Sequence, residues 1–320
     1  MKFVCADGDE QLQALLDSTA VGAAGHELIW FNGRPTDTDE WRGRVDEAEG
    51  VMLMWALPRG VLSAAPSVRV VSFAGSGAGS YVPMEEAEQR GVMVCNVPSY
   101  GANAVAEHAF ALALALARKV CEGDRLVRSG SWRPGELGGM ELAGRRLGVV
   151  GAGPIGGRAI QIGKALGMRV TAWTRSPSSA REAELGAPFA SLERLFAESD
   201  VVSLHVAHRP ETERLVDGRL LHNMQPHALL VNTARSQLVD TDALVRALEE
   251  GQIGGAAMDA FEEEPLPLDH PLLRAPNLLL TPHVGYNTPE ATAELLGLTL
   301  ENLLAFAAGH PQNVYTHGSQ

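Results

Sequence analysis

Short β-branched runs alternate with stretches of helical periodicity along nearly all of this 320-residue chain. Parallel strands need a crossover between them, and a helix is the usual crossover, so the alternation confines the fold to the α/β class with parallel sheets. In the first third, strands are expected at Lys2–Cys5, His26–Phe31, Gly50–Trp55, Val68–Ala74 and Val92–Asn96, with helices at Glu10–Ser18 and Pro83–Gln89. A long apolar helix follows from Asn103 to about Val120, and apolar character on most of its sides asks for burial between domains or subunits. The alternation restarts at Leu147–Val150 and continues through Arg169–Trp173, Val201–His205, Ala228–Asn232, Gly255–Met258 and Leu278–Thr281. A last amphipathic helix covers Pro289–Ala308. The length suffices for two domains with separate cores, so two doubly wound parallel-sheet domains are expected.

Charge narrows the partners. A formal net charge of −13 speaks against nucleic acid and against adsorption to anionic lipid, although buried arginines can still hold a small anion. The start, MKFVCADGDEQ, has no apolar core of a secretory signal, and the apolar stretch Ala104–Ala117 is too short to span a bilayer. A cytoplasmic location with no membrane partner is the expectation. Cys5, Cys95 and Cys121 are widely spaced in apolar surroundings and read as buried free thiols. No cysteine–histidine cluster has zinc spacing, so no metal is expected.

Gly151-Ala152-Gly153-Pro154-Ile155-Gly156 matches G-x-G-x-x-G. The first glycine permits a tight turn, the second lets a pyrophosphate reach the backbone, and the third lets helix and strand pack closely. Chance alone yields roughly 0.4 such matches in a chain this rich in glycine, so context decides. The context is a strand before, a helix after and a second strand ending at Trp173, which together make a βαβ dinucleotide-binding unit. After that second strand, Thr174-Arg175-Ser176 stands where an NAD-preferring site carries an acid. A carboxylate would repel a 2′-phosphate, whereas Arg175 can pair with one and Thr174 and Ser176 can donate hydrogen bonds. NADP(H) is therefore favoured, with NAD(H) as the alternative.

Three further segments, Val231–Arg235, Met258–Pro265 and Thr281–Gly285, each follow a predicted strand. They bring Arg235, the carboxylates of Asp259 and Glu262–Glu264, and His283 to the edge where open α/β sheets bind ligands. A cation to polarise a carbonyl and an acid/base near neutrality are what carbonyl reduction needs.

With these blocks in order, the chain resembles the D-isomer-specific 2-hydroxyacid dehydrogenase family. The resemblance is carried by NVPSYGANAVAE ending at Glu107, ELAGRRLGVVGAGPIG over Glu141–Gly156, and DVVSLHVAHRPET over Asp200–Thr212. It continues in VNTARSQLVDTDAL from Val231, DAFEEEPLP from Asp259 and LTPHVGYNT from Leu280. It implies that Arg235 binds the substrate carboxylate and carbonyl oxygen, that His283 is the proton donor in keto-acid reduction, and that Glu264 pairs with His283. Asp259 would contact the nicotinamide carboxamide or its ribose, and His205, Val206, Thr233, Ala234 and Gly285 would complete the cofactor site beside Gly151, Gly153, Pro154, Ile155 and Gly156. Gly75, Ser76 and Gly77 would hold the substrate carboxylate through backbone N–H groups. The resemblance further implies a flavodoxin-like substrate domain over 1–99 completed by 289–320, and a Rossmann nucleotide domain over 100–288. Hinges would lie near Pro98–Gly101 and Gly285–Pro289, and a homodimer would form through the long helix and the Trp132 segment.

The chain departs from the family pattern at three places. Gly77-Ala78-Gly79 lacks the usual acid, Ala207 replaces a proline ahead of His208-Arg209, and Tyr286 stands where a small residue is usual. Trp55, Tyr100 and Tyr286 are candidates for an aromatic substrate pocket. The leading reading is an NADPH-linked 2-keto acid reductase of the glyoxylate or hydroxypyruvate type. Formate oxidation is disfavoured because its enzymes usually carry glutamine at the Glu264 position. Phosphite oxidation on the same fold, and a dinucleotide sensor with little turnover, are the alternatives.

Overall fold

A computed structural model describes residues 1–315 of the chain. It packs as two units, one of Met1–Gly101 together with the chain from Asn287 onward, the other of Ala102–Tyr286. Within the stretch 289–320 assigned above to the first domain, residues 316–320 lie outside the described residues.

Among the described residues, the first unit holds a five-stranded sheet of β1 (Lys2–Gly8), β2 (Glu27–Asn32), β3 (Gly50–Leu53), β4 (Val70–Phe73) and β5 (Met93–Cys95) in the order β2-β1-β3-β4-β5. Every pairing is parallel, and this is the flavodoxin-like order. Register explains the core. Val4, Val51, Val71 and Val94 form one row across four strands and face one apolar cluster. One residue on, Cys5, Met52, Ser72 and Cys95 form the row on the opposite face.

That second face is covered by the terminal helix Pro289–Ala307, which buries Leu296, Leu300 and Leu303 against Phe3, Cys5, Met52 and Cys95. The polar member of the row is answered from the same helix, since the buried Asn302 amide donates to Ser72 Oγ (3.2 Å) and to the Asn96 carbonyl (2.9 Å). Burial pushes both thiols up, Cys95 to about 11 and Cys5 further.

Cys121 departs from the expected burial: it is exposed, because it lies on the helix Val120–Arg128, none of whose residues is buried. The third strand also ends earlier than expected. Asp7 is 1% exposed, and its carboxylate accepts from the N–H groups of Met54 (2.9 Å) and Trp55 (2.8 Å), which draws the chain out of the sheet after Leu53. Burial holds the Asp7 carboxyl above the ordinary carboxylate range.

The second unit holds a six-stranded sheet among the described residues, built from β6 (Arg146–Val150), β7 (Arg169–Trp173), β8 (Val201–Leu204), β9 (Leu229–Asn232), β10 (Gly255–Met258) and β11 (Leu278–Leu280). Its order is β11-β10-β9-β8-β6-β7, all parallel. A lone parallel bridge, Ala172 to Phe189, sits outside β7 in the place of the third strand of the Rossmann order. The chain therefore reverses direction of strand addition between β6 and β8, and a ligand crevice opens at such a point.

The long helix spans Ala102–Ala117, and its Phe110, Leu112 and Leu116 pack with Leu147, Val149, Ile160, Val231 and Ala257 of its own unit. Its apolar breadth is thus explained by the sheet it lies on and the neighbouring helix Pro154–Ala165. Lys119, at φ 55°, ends it in the left-handed region. No helix among the described residues is long and apolar enough to cross a membrane.

Candidate active site

The sequence motifs lie at the carboxyl ends of successive strands of the second unit, because each apolar run ends where the chain must leave the sheet. After β6, Gly151 takes φ 105°, and its N–H donates to the Trp173 carbonyl (2.9 Å), which ties the turn to the end of β7. A Cβ on Gly151 would meet the His205 carbonyl oxygen at 2.6 Å, and one on Gly156 would lie 1.8 Å from the Gly151 oxygen. Both glycines are required by close backbone approach. Gly153 differs: a Cβ there would meet nothing within 4 Å. It caps the helix Pro154–Ala165 without a side-chain hydrogen bond, so no capping side chain takes the first N–H groups of that helix. This cradle at a helix N-terminus fits a dinucleotide pyrophosphate.

Beside it, Thr174 is half-buried while Arg175 and Ser176 are exposed. Sequence reasoning missed a second cation here. Ser178 caps the helix Ser179–Leu185, and Arg181 in its first turn reaches back so that Nη2 donates to the Ala152 carbonyl (2.5 Å) while Nη1 pairs with Glu184 (3.1 Å). The signal was available as the Ser178 cap three residues before the arginine.

At the end of β8 the His205 ring turns inward. Its Nε2 lies 2.8 Å from Ser203 Oγ, its Nδ1 is buried without a partner among the described residues, and burial lowers its pKa to about 4. Its main chain, with Val206 Cγ1, lines the approach to Gly151. Of the two departures that follow, His208 pairs with Glu213, and the Arg209 N–H is capped by the Thr212 hydroxyl (2.7 Å). Thr233 Oγ is another buried atom without a partner among the described residues.

The turn after β9 is stapled by Asn232, which is fully buried. Its amide accepts from the Ala234 N–H (3.0 Å) and donates to the Arg235 carbonyl (2.8 Å). Arg235 is exposed, with one nitrogen on the Ala234 carbonyl (2.7 Å). A polar residue closing an apolar strand was the sequence signal for Asn232.

Across β10 from it, the segment after β11 carries His283. Its Nδ1 lies 2.9 and 3.0 Å from the two Glu264 oxygens, and Glu264 is itself held by the Phe261 N–H (3.0 Å). A carboxylate only accepts, so Nδ1 carries the proton and Nε2 is left to exchange one with a ligand. Tyr286 meets the His283 ring edge-on, 6.0 Å between centroids at 86°.

His283 has φ 54°, a left-handed conformation that costs a non-glycine residue about 1 kcal/mol or more. Asp259, 2% exposed, secures the turn that holds it. Its Oδ1 accepts from Thr281 Oγ (2.6 Å) and the Val284 N–H (3.0 Å), and its Oδ2 from the Gly285 N–H (2.8 Å). Burial would raise this carboxyl, but hydrogen bonds from His108, Thr281, Val284 and Gly285 outweigh it and leave the pKa below the ordinary carboxylate value. A Cβ on Gly285 would meet Asp259 Oδ2 at 2.9 Å.

In the first unit, the loop after β4 is braced by Phe73, whose ring would meet a Cβ on Gly75 at 2.7 Å, and by the Asn96 amide on the Ser76 carbonyl (2.6 Å). The Ser76 and Gly77 N–H groups have no protein acceptor among the described residues, as an anion-binding turn requires. Trp55 is 42% exposed, and the Arg34 guanidinium stacks 3.7 Å from its ring centroid. Tyr100 is half-buried in the same unit.

The chain is similar to known proteins. Residues 110–285 match the family described as D-isomer specific 2-hydroxyacid dehydrogenase, NAD binding domain. The chain is 40% identical over 290 residues to a glyoxylate reductase of Aeropyrum pernix, an alignment spanning 88% of this chain and 86% of that protein. Among solved structures it resembles the TT0316 protein of Thermus thermophilus, with a TM-score of 0.81 and 36% identity over 99% of this chain and 100% of that one. It also resembles a Lactobacillus jensenii D-lactate dehydrogenase with NAD+, with a TM-score of 0.84 and 26% identity over 99% of this chain and 100% of that one.

Proposed function

The chain belongs to the D-isomer-specific 2-hydroxyacid dehydrogenases, and from that premise we propose that it is an NADPH-preferring reductase of small 2-keto acids of the glyoxylate or hydroxypyruvate type. The observation that carries the reading is the His283–Glu264 pair, set in the same unit as the glycine turn and with Nε2 free to deliver a proton. Bound at the Gly151–Gly156 turn, the dinucleotide supplies the hydride.

The protein's own groups do the rest. Arg235 holds the substrate carboxylate and draws electron density toward the carbonyl oxygen. His283 gives that oxygen a proton from Nε2 and takes it back in the reverse direction, while Glu264 fixes the ring through Nδ1. In the first unit, Ser76 and Gly77 offer N–H groups that suit a carboxylate; in the second, Tyr286 lies edge-on to the His283 ring, where it bears on the preference among side chains. Thr174, Arg175 and Ser176 support the choice of NADPH, since no carboxylate ends β7 and Arg175 has no acidic partner within 4.0 Å among the described residues.

The test is oxidation of NADPH and NADH at 340 nm against glyoxylate, hydroxypyruvate, pyruvate and phenylpyruvate. NADPH should be preferred by about 10- to 100-fold in kcat/KM, the worth of one or two charge-assisted hydrogen bonds. Equal use of the two, or a preference for NADH, overturns the cofactor assignment. Failure to reduce any keto acid overturns the reaction.

We also propose a homodimer formed through the second unit. Its helix Val120–Arg128 presents Val120 and Val127 at 57% exposure each, and Trp132 beyond it is 81% exposed. Light scattering should give twice the monomer mass for the native chain, and Trp132→Glu should shift it toward the monomer. A monomeric native chain would rule the dimer out.

A further inference from the structure

We propose that His108 is a positioning residue for the acid/base His283, acting through Thr281 and Asp259; the inference rests on the assignment of proton transfer to His283. His108 lies on the long helix Ala102–Ala117, and its Nε2 is 3.1 Å from Thr281 Oγ and 3.4 Å from Asp259 Oδ1.

The direction of each hydrogen bond follows from chemistry. Asp259 is an acceptor at both oxygens, so the Thr281 hydroxyl spends its single proton on Oδ1, at 2.6 Å. The Thr281 oxygen can then only accept from His108, and Nε2 of His108 carries a hydrogen. His108 thus donates into a chain that runs through Thr281 to Asp259 and ends on the N–H groups of Val284 and Gly285.

Those two N–H groups immediately follow His283, whose φ of 54° the surrounding bonds must maintain. The His283 N–H is already committed to the Thr281 carbonyl (2.9 Å), which makes Thr281 the pivot of the turn from both its backbone and its side chain. His108 also closes the turn from above: a Cβ on Gly285 would meet its Cδ2 at 3.2 Å. The ring is therefore packed against the backbone it orders. Without the Nε2 donor, the Thr281 hydroxyl is free to rotate away from Asp259, the turn loosens, and the His283 ring swings relative to Glu264. A misplacement of about 1 Å is enough to cost about a hundredfold in rate.

The experiment compares His108→Gln, which keeps an N–H donor at similar reach, with His108→Leu, which keeps bulk and removes the donor. His283→Ala is measured beside them. His108→Leu should lower kcat by about 10- to 100-fold with the keto-acid KM and the fluorescence-measured NADPH Kd unchanged, and His108→Gln should recover kcat to within about threefold. A wild-type kcat in His108→Leu, or equal losses in the Leu and Gln variants, overturns the proposal. If His283→Ala keeps full activity instead, the assignment of His283 itself has failed, and the two failures are told apart in one set of assays.

Discussion

Replacing His283 with alanine should lower kcat for keto-acid reduction by about a thousandfold, within the range that a positioned general acid contributes. The loss falls on kcat because the ring's Nδ1 is engaged by Glu264 and only Nε2 faces outward, so its service is proton delivery and not ground-state binding. NADPH affinity, read by fluorescence titration, should not change, since the glycine turn and the end of β7 are untouched. Glu264→Gln should lie between the two enzymes: the amide oxygen still accepts from Nδ1, but a neutral acceptor holds the ring less firmly than the carboxylate does. A fall confined to KM in His283→Ala would move the histidine from proton transfer to substrate binding. Unchanged turnover would remove it from the reaction.

Gly156→Ala should destabilise the second unit and abolish dinucleotide binding together. The added methyl would sit 1.8 Å from the Gly151 carbonyl oxygen, a backbone atom that cannot swing aside. Helix and strand must separate, at a cost of about 3 kcal/mol or more, which lowers Tm by about 6–12 °C in a unit of this size. Gly153→Ala is the informative contrast. Nothing lies within 4 Å of its Cβ, so Tm should hold while NADPH affinity falls, because the methyl occupies space the pyrophosphate needs. A Gly156→Ala protein that melts and binds like the native one would mean that the turn relaxes in a way these contacts do not allow. Loss of Tm in Gly153→Ala would mean that its open side is structural.

The parts of the molecule that could be read beforehand are those in which sequence neighbours decide the outcome. A β-branched run followed by a glycine turn and a helical pattern carries its own periodicity, and each parallel strand of the second unit was recognisable from residues within it. The positions after those strands followed, so Gly151, Arg235, Asp259 and His283 were expected at the carboxyl edge.

What was not legible depends on partners far along the chain. Asp259 finds Thr281 only because β10 lies against β11, and His108 joins them from a helix that precedes both by more than a hundred residues. The end of β3 was misread because Asp7, on a neighbouring strand, captures the N–H groups of Met54 and Trp55. Cys121 looked buried in a hydrophobic neighbourhood, but the left-handed turn at Lys119 starts a new helix whose apolar side faces outward.

The terminal helix also shapes how the protein is made. All strands of the first sheet are synthesised by Cys95, yet the residues that cover one of its faces, Leu296, Leu300 and Leu303, emerge some two hundred residues later. During translation the row of Cys5, Met52, Ser72 and Cys95 lacks this cover while the whole of the second unit is produced, with Leu12, Leu16 and Val21 already made to pack on that face. The nascent chain therefore carries an unfinished apolar sheet for most of its time on the ribosome, and the second unit, whose strands are contiguous in sequence, is the one able to mature first.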